Sequence, residues 1–122
     1  MKTILVIEDS ADIRENAAEI LELEGYNVIT AQNGKEGVEL AKAELPSVIL
    51  CDIMMPEMNG YEVLVLLKGN PETEYIPFLY LSASAEKKEI EHAIKMGADG
   101  YICKPFELHE LLVKVNALAN KD

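Results

Sequence analysis

Short apolar runs alternate with amphipathic segments from one end of the chain to the other. Runs of four or five residues, bounded by turn-forming residues, indicate buried strands, whereas apolar positions spaced three or four apart indicate helices. The predicted strands are Thr3–Ile7, Asn27–Ala31, Val48–Cys51, Phe78–Leu81 and Gly100–Cys103. The predicted helices are Ala11–Glu24, a second helix that Asn33 caps and that ends near Leu45, Gly60–Lys68, Ala85–Met96, and a last helix with an apolar face from Leu108 to Leu118.

Local signals mark the ends of the first two helices. Gly25 follows the first helix, as glycine commonly does after a helix C-terminus. Asn33 lies three positions before Glu36, a spacing that caps a helix N-terminus. Pro46 disfavours the helical conformation of the residue before it, so the second helix should end near Leu45.

The apolar stripes and the strands together predict the architecture. The stripes are Ile13, Ala17, Ile20 and Leu21 in the first helix, Ile90, Ala93 and Ile94 in the fourth, and Leu108, Leu111, Leu112, Val115 and Leu118 in the last. The strands are apolar along their whole length, which is typical of strands covered on both faces. Strand–helix alternation then favours a doubly wound α/β fold, with five parallel strands and five helices in one domain, residues 1–122.

The balance of charge narrows the range of partners. Asp and Glu total 22 against 11 Lys and Arg, a formal net charge of -11. Such a chain repels phosphate backbones and anionic lipid heads, so we expect no direct nucleic-acid binding and no membrane contact. Apolar runs fall well short of the roughly 20 residues that a membrane-spanning helix needs. Cys51 and Cys103 lie within apolar runs, which favours buried free thiols and a cytoplasmic location.

Polar side chains that could bind a metal or take part in catalysis follow four of the five strands. Glu8 and Asp9 come after the first strand, Asp52 after the third, Ser82 after the fourth and Lys104 after the fifth. Because ligands of parallel sheets bind outside the carboxyl ends of the strands, we expect these side chains to converge. The simpler interpretation, that they are helix caps and turn residues, does not account for all four strand ends together.

This set of side chains suits phosphoryl transfer. Mg²⁺ prefers oxygen ligands and commonly takes one or two carboxylates together with waters and phosphate. A lysine such as Lys104 and a hydroxyl such as Ser82 supply positive charge and a hydrogen bond to a transferring phosphoryl group. Aspartate is a covalent nucleophile in such reactions, and Asp52, at the centre of the predicted edge, is the candidate.

Four stretches resemble the receiver domains of two-component response regulators, the CheY-like family. They are Ile7–Ser10, Asp52–Gly60, Leu81–Ala83 and Gly97–Phe106, and the likeness covers essentially the whole chain. The resemblance implies a flavodoxin-like fold and a cytoplasmic, phosphorylation-activated signalling switch. It also implies two kinds of partner, a sensor histidine kinase or phosphotransfer protein and a downstream effector protein.

The resemblance assigns roles around the reactive carboxylate. Asp52 matches the residue that accepts the phosphoryl group in a Mg²⁺-dependent reaction. Glu8 and Asp9 match the acidic pair of the metal site, which Asp52 and the backbone carbonyl of Met54 complete. Lys104 matches the lysine that contacts the phosphoryl group.

The resemblance also assigns the parts of the switch. Ser82 matches the hydroxyl that moves onto the phosphoryl group, and Tyr101 matches the aromatic residue that follows it. Ala83 matches the small residue beside the phosphoryl site. The peptide bond between Lys104 and Pro105 is expected to be cis, and the output face is expected on the fourth helix, fifth strand and fifth helix.

Two positions depart from the pattern of relatives. Glu8 stands where many relatives have aspartate, and its longer side chain is expected to hold the ion through a water, which leaves Asp9 as the stronger direct ligand. Val65 and Leu66 occupy positions that are usually polar in the third helix. They predict an apolar contact patch for self-association or a partner, with self-association through the output face as another route. Alternatively, the loop 69–77 covers both side chains.

Other functions remain open at this point. A metal-dependent phosphatase would usually carry an acid close after the nucleophile, where Met54 stands. A flavin-binding domain would need a phosphate loop in place of the acidic segment Glu8–Asp12. A phosphorylation-independent docking module stays as the main alternative, and the enzyme class is open because a receiver turns over no separate substrate. His92 and His109 are expected to be solvated helix residues. The chain is either a stand-alone protein or part of a longer one.

Overall fold

The computed structural model describes residues 1–120, and within that range five strands alternate with five helices. The strands are β1 Thr3–Ile7, β2 Asn27–Ala31, β3 Val48–Asp52, β4 Phe78–Ser82 and β5 Gly100–Cys103. The helices are α1 Ala11–Leu23, α2 Gly34–Glu44, α3 Gly60–Lys68, α4 Lys87–Lys95 and α5 Leu108–Ala119. Every predicted element is present, although the predicted domain end at residue 122 lies outside the described residues. The largest difference is that α4 begins at Lys87, two residues later than predicted.

The strands form a parallel sheet in the order β2-β1-β3-β4-β5. β2 lies on one side of β1, at an edge of the sheet. β3, β4 and β5 then follow in order on the other side of β1. The strand order therefore reverses between β1 and β3, which pair with Ile7 opposite Cys51. This order and the helices on both faces confirm the predicted flavodoxin-like, doubly wound α/β fold.

Two apolar layers cover the sheet, one on each face. Leu5, Ile49 and Tyr80 belong to the layer that packs against α2, α3 and α4, and Ile4 and Leu50 belong to the layer that packs against α1 and α5. Alternate residues of β1, β3 and β4 enter the two layers, so these strands are buried along nearly their whole length. The carboxyl ends of these rigid strands position the candidate site.

The edge strand β2 departs from the predicted burial. Asn27 and Thr30 are exposed, Val28 and Ile29 are half-buried, and Ala31 is buried. The expectation that all strands are covered along their whole length is therefore wrong for β2. The physical reason is its position, since an edge strand has a neighbour on one side and packs against fewer helices.

Two helical residues predicted to be buried are exposed instead. Ile94 of α4 is 47% exposed and Leu108 of α5 is 54% exposed. Ile94 follows the buried Ala93, and each residue turns a helix by about 100°, so the two side chains leave the helix in different directions. Leu108 is the first residue of α5, one turn before the first buried position, Leu111.

Side-chain caps begin the first three helices. Ser10 accepts from the backbone N–H of Ile13 at the start of α1, and Asn33 accepts from Glu36 at 2.8 Å at the start of α2. Asn59 forms a reciprocal capping box with the third helical residue of α3, Glu62. None of the helices within residues 1–120 is long and apolar enough to cross a membrane.

Candidate functional site

The carboxyl ends of β1 and β3 bring together the three acids predicted from the sequence. One carboxylate oxygen from each of Glu8, Asp9 and Asp52 lies within 4.8 Å of the others. Glu8 and Asp52 are buried, whereas Asp9 is exposed. The cluster thus combines a desolvated floor with one carboxylate that faces solvent.

Lys104, at the end of β5, lies between the two buried acids. Its ammonium nitrogen is 2.7 Å from Glu8 Oε1 and 3.0 Å from Asp52 Oδ1, and its side chain is 14% exposed. Burial by itself lowers the pKa of Lys104, but the hydrogen bonds and negative charges of Glu8 and Asp52 outweigh it, so the pKa is raised overall. A single ammonium group is therefore shared by two carboxylates.

This sharing leaves Asp52 short of positive charge. Burial raises the pKa of Asp52 to about 7; the hydrogen bond from Lys104 opposes this rise, and the charge of Glu8 adds to it. A carboxyl group with such a pKa is partly protonated near neutral pH. Further positive charge close to Asp52 would favour its ionised form.

The start of α1 fixes the carboxylate of Glu8. Glu8 Oε2 accepts a hydrogen bond from the backbone N–H of Ser10 at 3.1 Å, and Arg14 donates to the backbone carbonyl of Glu8 at 2.9 Å. Glu8 Oε1 is fully buried, and its partner among the described residues is the ammonium group of Lys104 at 2.7 Å. The donor set fits Mg²⁺, because it consists of oxygens from three clustered carboxylates that share a single ammonium group.

The loop 53–59 connects Asp52 to α3 and borders the acids. Its ends meet where the N–H of Gly60 donates to the carbonyl of Ile53 at 2.9 Å. A Cβ atom at Gly60 would lie 2.5 Å from the backbone oxygen of Asp52, so only glycine fits this close approach. Within the loop, Met54 is 76% exposed whereas Met55 is buried.

The two predicted switch residues lie close to the same edge and are linked through a third residue. Ser82 is 2% exposed, and its hydroxyl accepts from the backbone N–H of Ser84 at 3.2 Å. Tyr101 is buried, and its hydroxyl donates to the backbone carbonyl of Ser84 at 2.9 Å. Burial raises the pKa of Tyr101 above its ordinary value. Ser84 therefore connects the hydroxyl of β4 to the aromatic ring of β5.

The segment after β5 is fixed by its backbone. The N–H of Lys104 donates to the carbonyl of Ser82 at 2.7 Å. The peptide bond between Lys104 and Pro105 is cis, as the resemblance implied. Beside Lys104, an open groove of about 500 Å³ is lined by Ile13, Asn16, Ala83, Lys104, Pro105 and Phe106.

Several sequence expectations concern residues outside this cluster. His92 and His109 are exposed on α4 and α5, as expected, and the ring of His92 packs edge-on against Tyr61 with centroids 5.1 Å apart. Cys51 and Cys103 are both free thiols; Cys51 is buried, whereas Cys103 is half-buried, contrary to the expectation for it.

Sequence reasoning missed the contributions of Ser84 and Tyr80. Ser84 joins Ser82 to Tyr101, and Tyr80 donates to the carbonyl of Gly60 at 2.9 Å. A serine in a loop gives no signal of such a link. Tyr80 is the polar-tipped residue in the apolar run Phe78–Leu81, a weak signal that a buried hydroxyl there needs a partner.

Comparison with known proteins gives the family. The response regulator receiver domain model matches residues 4–116. Response regulator SaeR of Staphylococcus aureus strain USA300 is 36% identical over 121 residues, which is 99% of this chain and 52% of SaeR. This chain belongs to the response regulator receiver domain family. It spans about half the length of the curated relatives that it matches.

Solved receiver structures superpose closely on this receiver domain. Chemotaxis protein CheY4 of Vibrio cholerae is 29% identical with a TM-score of 0.91, covering 97% of this chain and 98% of CheY4. The Francisella response regulator 1452 receiver domain is 30% identical with a TM-score of 0.91, covering 98% and 97%. A receiver domain of a histidine kinase from Syntrophus aciditrophicus is 34% identical with a TM-score of 0.88, covering 98% and 90%. The general function of the family is that of a phosphorylation switch.

Proposed function

We propose that this receiver domain is switched by transfer of a phosphoryl group to Asp52 from a phosphohistidine of a sensor histidine kinase or a phosphotransfer protein. The observation that carries the proposal is the placement of Asp52, which is buried at the end of β3, 3.0 Å from Lys104 and clustered with Glu8 and Asp9. A carboxylate in this setting is desolvated and oriented, as a nucleophile requires.

The acids would hold Mg²⁺, with Asp9, Asp52 and the backbone carbonyl of Met54 as direct ligands and Glu8 acting through a water. When bound, the ion supplies the positive charge that Asp52 lacks and neutralises the transferring phosphoryl group. An oxygen of Asp52 forms a bond to phosphorus as the bond between phosphorus and the donor imidazole nitrogen breaks. The electron pair of that broken bond stays with the imidazole, and Lys104 contacts a phosphoryl oxygen.

Phosphorylation would be read through Ser82 and Tyr101. The hydroxyl of Ser82 donates to a phosphoryl oxygen and so moves away from the N–H of Ser84. Because Ser84 also accepts from Tyr101, a shift of Ser84 changes the position of the aromatic ring. The α4–β5–α5 face then favours one of two pre-existing conformations, which a downstream effector protein binds.

The groove beside Lys104 is suited to the phosphodonor protein. Ile13 of α1 and Pro105 and Phe106 after β5 give it apolar walls, and Lys104 also lines it. A helix that carries the phosphohistidine would bury apolar side chains in the groove and bring the phosphoryl group to Asp52.

Self-association remains a prediction, but one alternative to it is wrong. Val65 is 59% exposed and Leu66 is 47% exposed, so the loop 69–77 does not cover them. Together with Tyr61 and Met96 they line an apolar groove at the surface of α3. The outer surface of α3 is therefore available for contact with a second copy or a partner, and contact through the α4–β5–α5 face stays a prediction.

The test of the proposed function is incubation with a small phosphodonor such as acetyl phosphate, with and without Mg²⁺. We expect a Mg²⁺-dependent mass gain of one phosphoryl group that hydroxylamine removes, because an acyl phosphate reacts with this nucleophile. Asp52→Asn should show no gain. Modification of another residue, or an equal gain in Asp52→Asn, would contradict the proposal. A wild type that takes up no phosphoryl group would favour a phosphorylation-independent docking module.

A further inference from the structure

The hydroxyl of Tyr80 reaches out of the sheet to Gly60, where the loop that follows Asp52 meets α3. Tyr80 lies in the middle of β4 and is fully buried. Its hydroxyl donates to the backbone carbonyl of Gly60 at 2.9 Å. Burial raises the pKa of Tyr80 well above its ordinary value, so the hydroxyl stays protonated and remains a donor.

Gly60 is in direct contact with the backbone at Asp52. A Cβ atom placed on Gly60 would lie 2.5 Å from the backbone oxygen of Asp52 and 3.0 Å from Tyr80 Cε1. The N–H of Gly60 donates to Ile53, so the same residue closes the base of the loop 53–59. The base of this loop is therefore held between β3 and the side chain of Tyr80.

The ring of Tyr80 supports the same region through apolar contacts. Tyr61 packs edge-on against it with centroids 5.5 Å apart, and Phe78 packs against it at 5.0 Å. These contacts fix the direction of the Tyr80 hydroxyl, and they involve the first turn of α3. The hydrogen bond adds a directional link that packing alone does not provide.

We propose that Tyr80 is a positioning residue for the phosphorylation site, because its hydroxyl fixes the loop that carries Met54 relative to the carboxylate of Asp52. The inference rests on the proposed function, in which Met54 and Asp52 both hold Mg²⁺. A small displacement of the loop then alters the relative placement of two ligands. Groups bonded directly to a metal ligand commonly change metal affinity by about 10- to 100-fold when they are lost, and Tyr80, which acts through Gly60, is expected at the lower end of that range.

The test compares Tyr80→Phe with the matched control Tyr26→Phe. The hydroxyl of Tyr26 donates to Asn116, on α5, so the control loses a tyrosine hydrogen bond outside the loop. We expect Tyr80→Phe to raise the Mg²⁺ dissociation constant, measured without phosphodonor, by about 10-fold. Hydrogen exchange should quicken at the amides of Gly60 and Met58, and Tyr26→Phe should change neither quantity.

Phosphorylation kinetics distinguish a misplaced Mg²⁺ site in Tyr80→Phe from unfolding of the variant. Tyr80→Phe should need about 10-fold more Mg²⁺ for half-maximal rate with acetyl phosphate and should reach the wild-type rate at saturating Mg²⁺. In the wild type, Mg²⁺ should slow exchange at the amide of Gly60, a measurement that needs no variant. Unchanged affinity and exchange in Tyr80→Phe, or equal changes in both variants, would overturn the inference. Mg²⁺ binding without phosphorylation of Asp52 would instead overturn the proposed function alone.

Discussion

At the scale of single residues, Asp52 and Glu8 compete for the charge of Lys104. Both carboxylates are buried, and the lysine lies within 3.0 Å of each. Burying two carboxylates costs more solvation free energy than their ion pairs with one ammonium group recover. The negative charge at this site therefore destabilises the folded protein. The raised pKa of Asp52 is the measurable sign of that imbalance.

The first prediction concerns the pH dependence of stability without Mg²⁺. The pKa of Asp52 rises from 3.8 to about 7 on folding, so the unfolded chain releases this proton at lower pH than the folded chain does. The contribution of Asp52 to the free energy of unfolding therefore falls as pH rises from about 4 to about 7. Asp52→Asn should remove this fall and should be more stable than the wild type at pH 8, by on the order of 1–3 kcal/mol.

Urea denaturation in EDTA at several pH values measures this difference. Asp12→Asn is a suitable control because Asp12 is exposed on the first turn of α1 and lies outside the acidic cluster. The difference in the free energy of unfolding between Asp12→Asn and the wild type should vary little with pH over the same interval. A wild type that gains stability relative to Asp52→Asn as pH rises would contradict the assigned direction of the pKa shift.

At the scale of secondary structure elements, α3 is unusual because it is apolar on its outer surface as well as its inner one. Val63, Leu64 and Leu67 are buried beneath it, whereas Val65 and Leu66 are exposed. A helix with apolar residues on both sides is stabilised by contact on both sides. The outer contact is the one that the described residues do not provide.

The second prediction is that α3 mediates self-association at high protein concentration. Leu66→Lys should leave the thermal midpoint within a few degrees of the wild type, because exposed positions contribute about 0.5 kcal/mol or less. The same change should shift the protein toward the monomer in sedimentation velocity. Val113→Lys, at a 51% exposed position on α5, is the matched control.

The two variants distinguish the two candidate faces. Loss of association in Val113→Lys but not in Leu66→Lys would move the contact from α3 to α5. A wild type that stays monomeric at all concentrations would contradict self-association through either face.

At the scale of the whole molecule, the net charge of -11 affects stability as well as partner choice. An excess of like charge destabilises a compact state through self-repulsion, and salt screens that repulsion. The acidic cluster concentrates part of this charge at one edge of the sheet. A cation bound there would act on the stability of the entire fold.

The third prediction is that Mg²⁺ stabilises the protein beyond its effect on ionic strength. A ligand that binds the folded state raises the free energy of unfolding by about 2.7 kcal/mol at one hundred times its dissociation constant. The thermal midpoint should therefore rise more with MgCl₂ than with NaCl of equal ionic strength. Asp9→Asn should lose most of the difference, and an equal response to both salts in the wild type would contradict the metal site.

Much of the fold was accessible from the sequence because its determinants are local. Buried parallel strands are continuous apolar runs, so β3 and β4 were recognisable without knowledge of their neighbours. Helix ends carried their own signals, as at Asn33 and Gly25. The members of the candidate site were accessible for a related reason: each lies at the carboxyl end of a strand or just after it, and parallel strands end at one edge.

Tertiary structure alone decided the features that depend on neighbours distant in sequence. Sheet order places β2 at an edge and so exposes part of it, and packing decides that Ala93 is buried while Ile94 is not. Lys104 contacts two acids, and Tyr80 donates to Gly60. Both features depend on distances between elements that are far apart along the chain. A periodic pattern records which face a residue is on. It does not record which atom the side chain contacts, because that atom comes from another part of the chain.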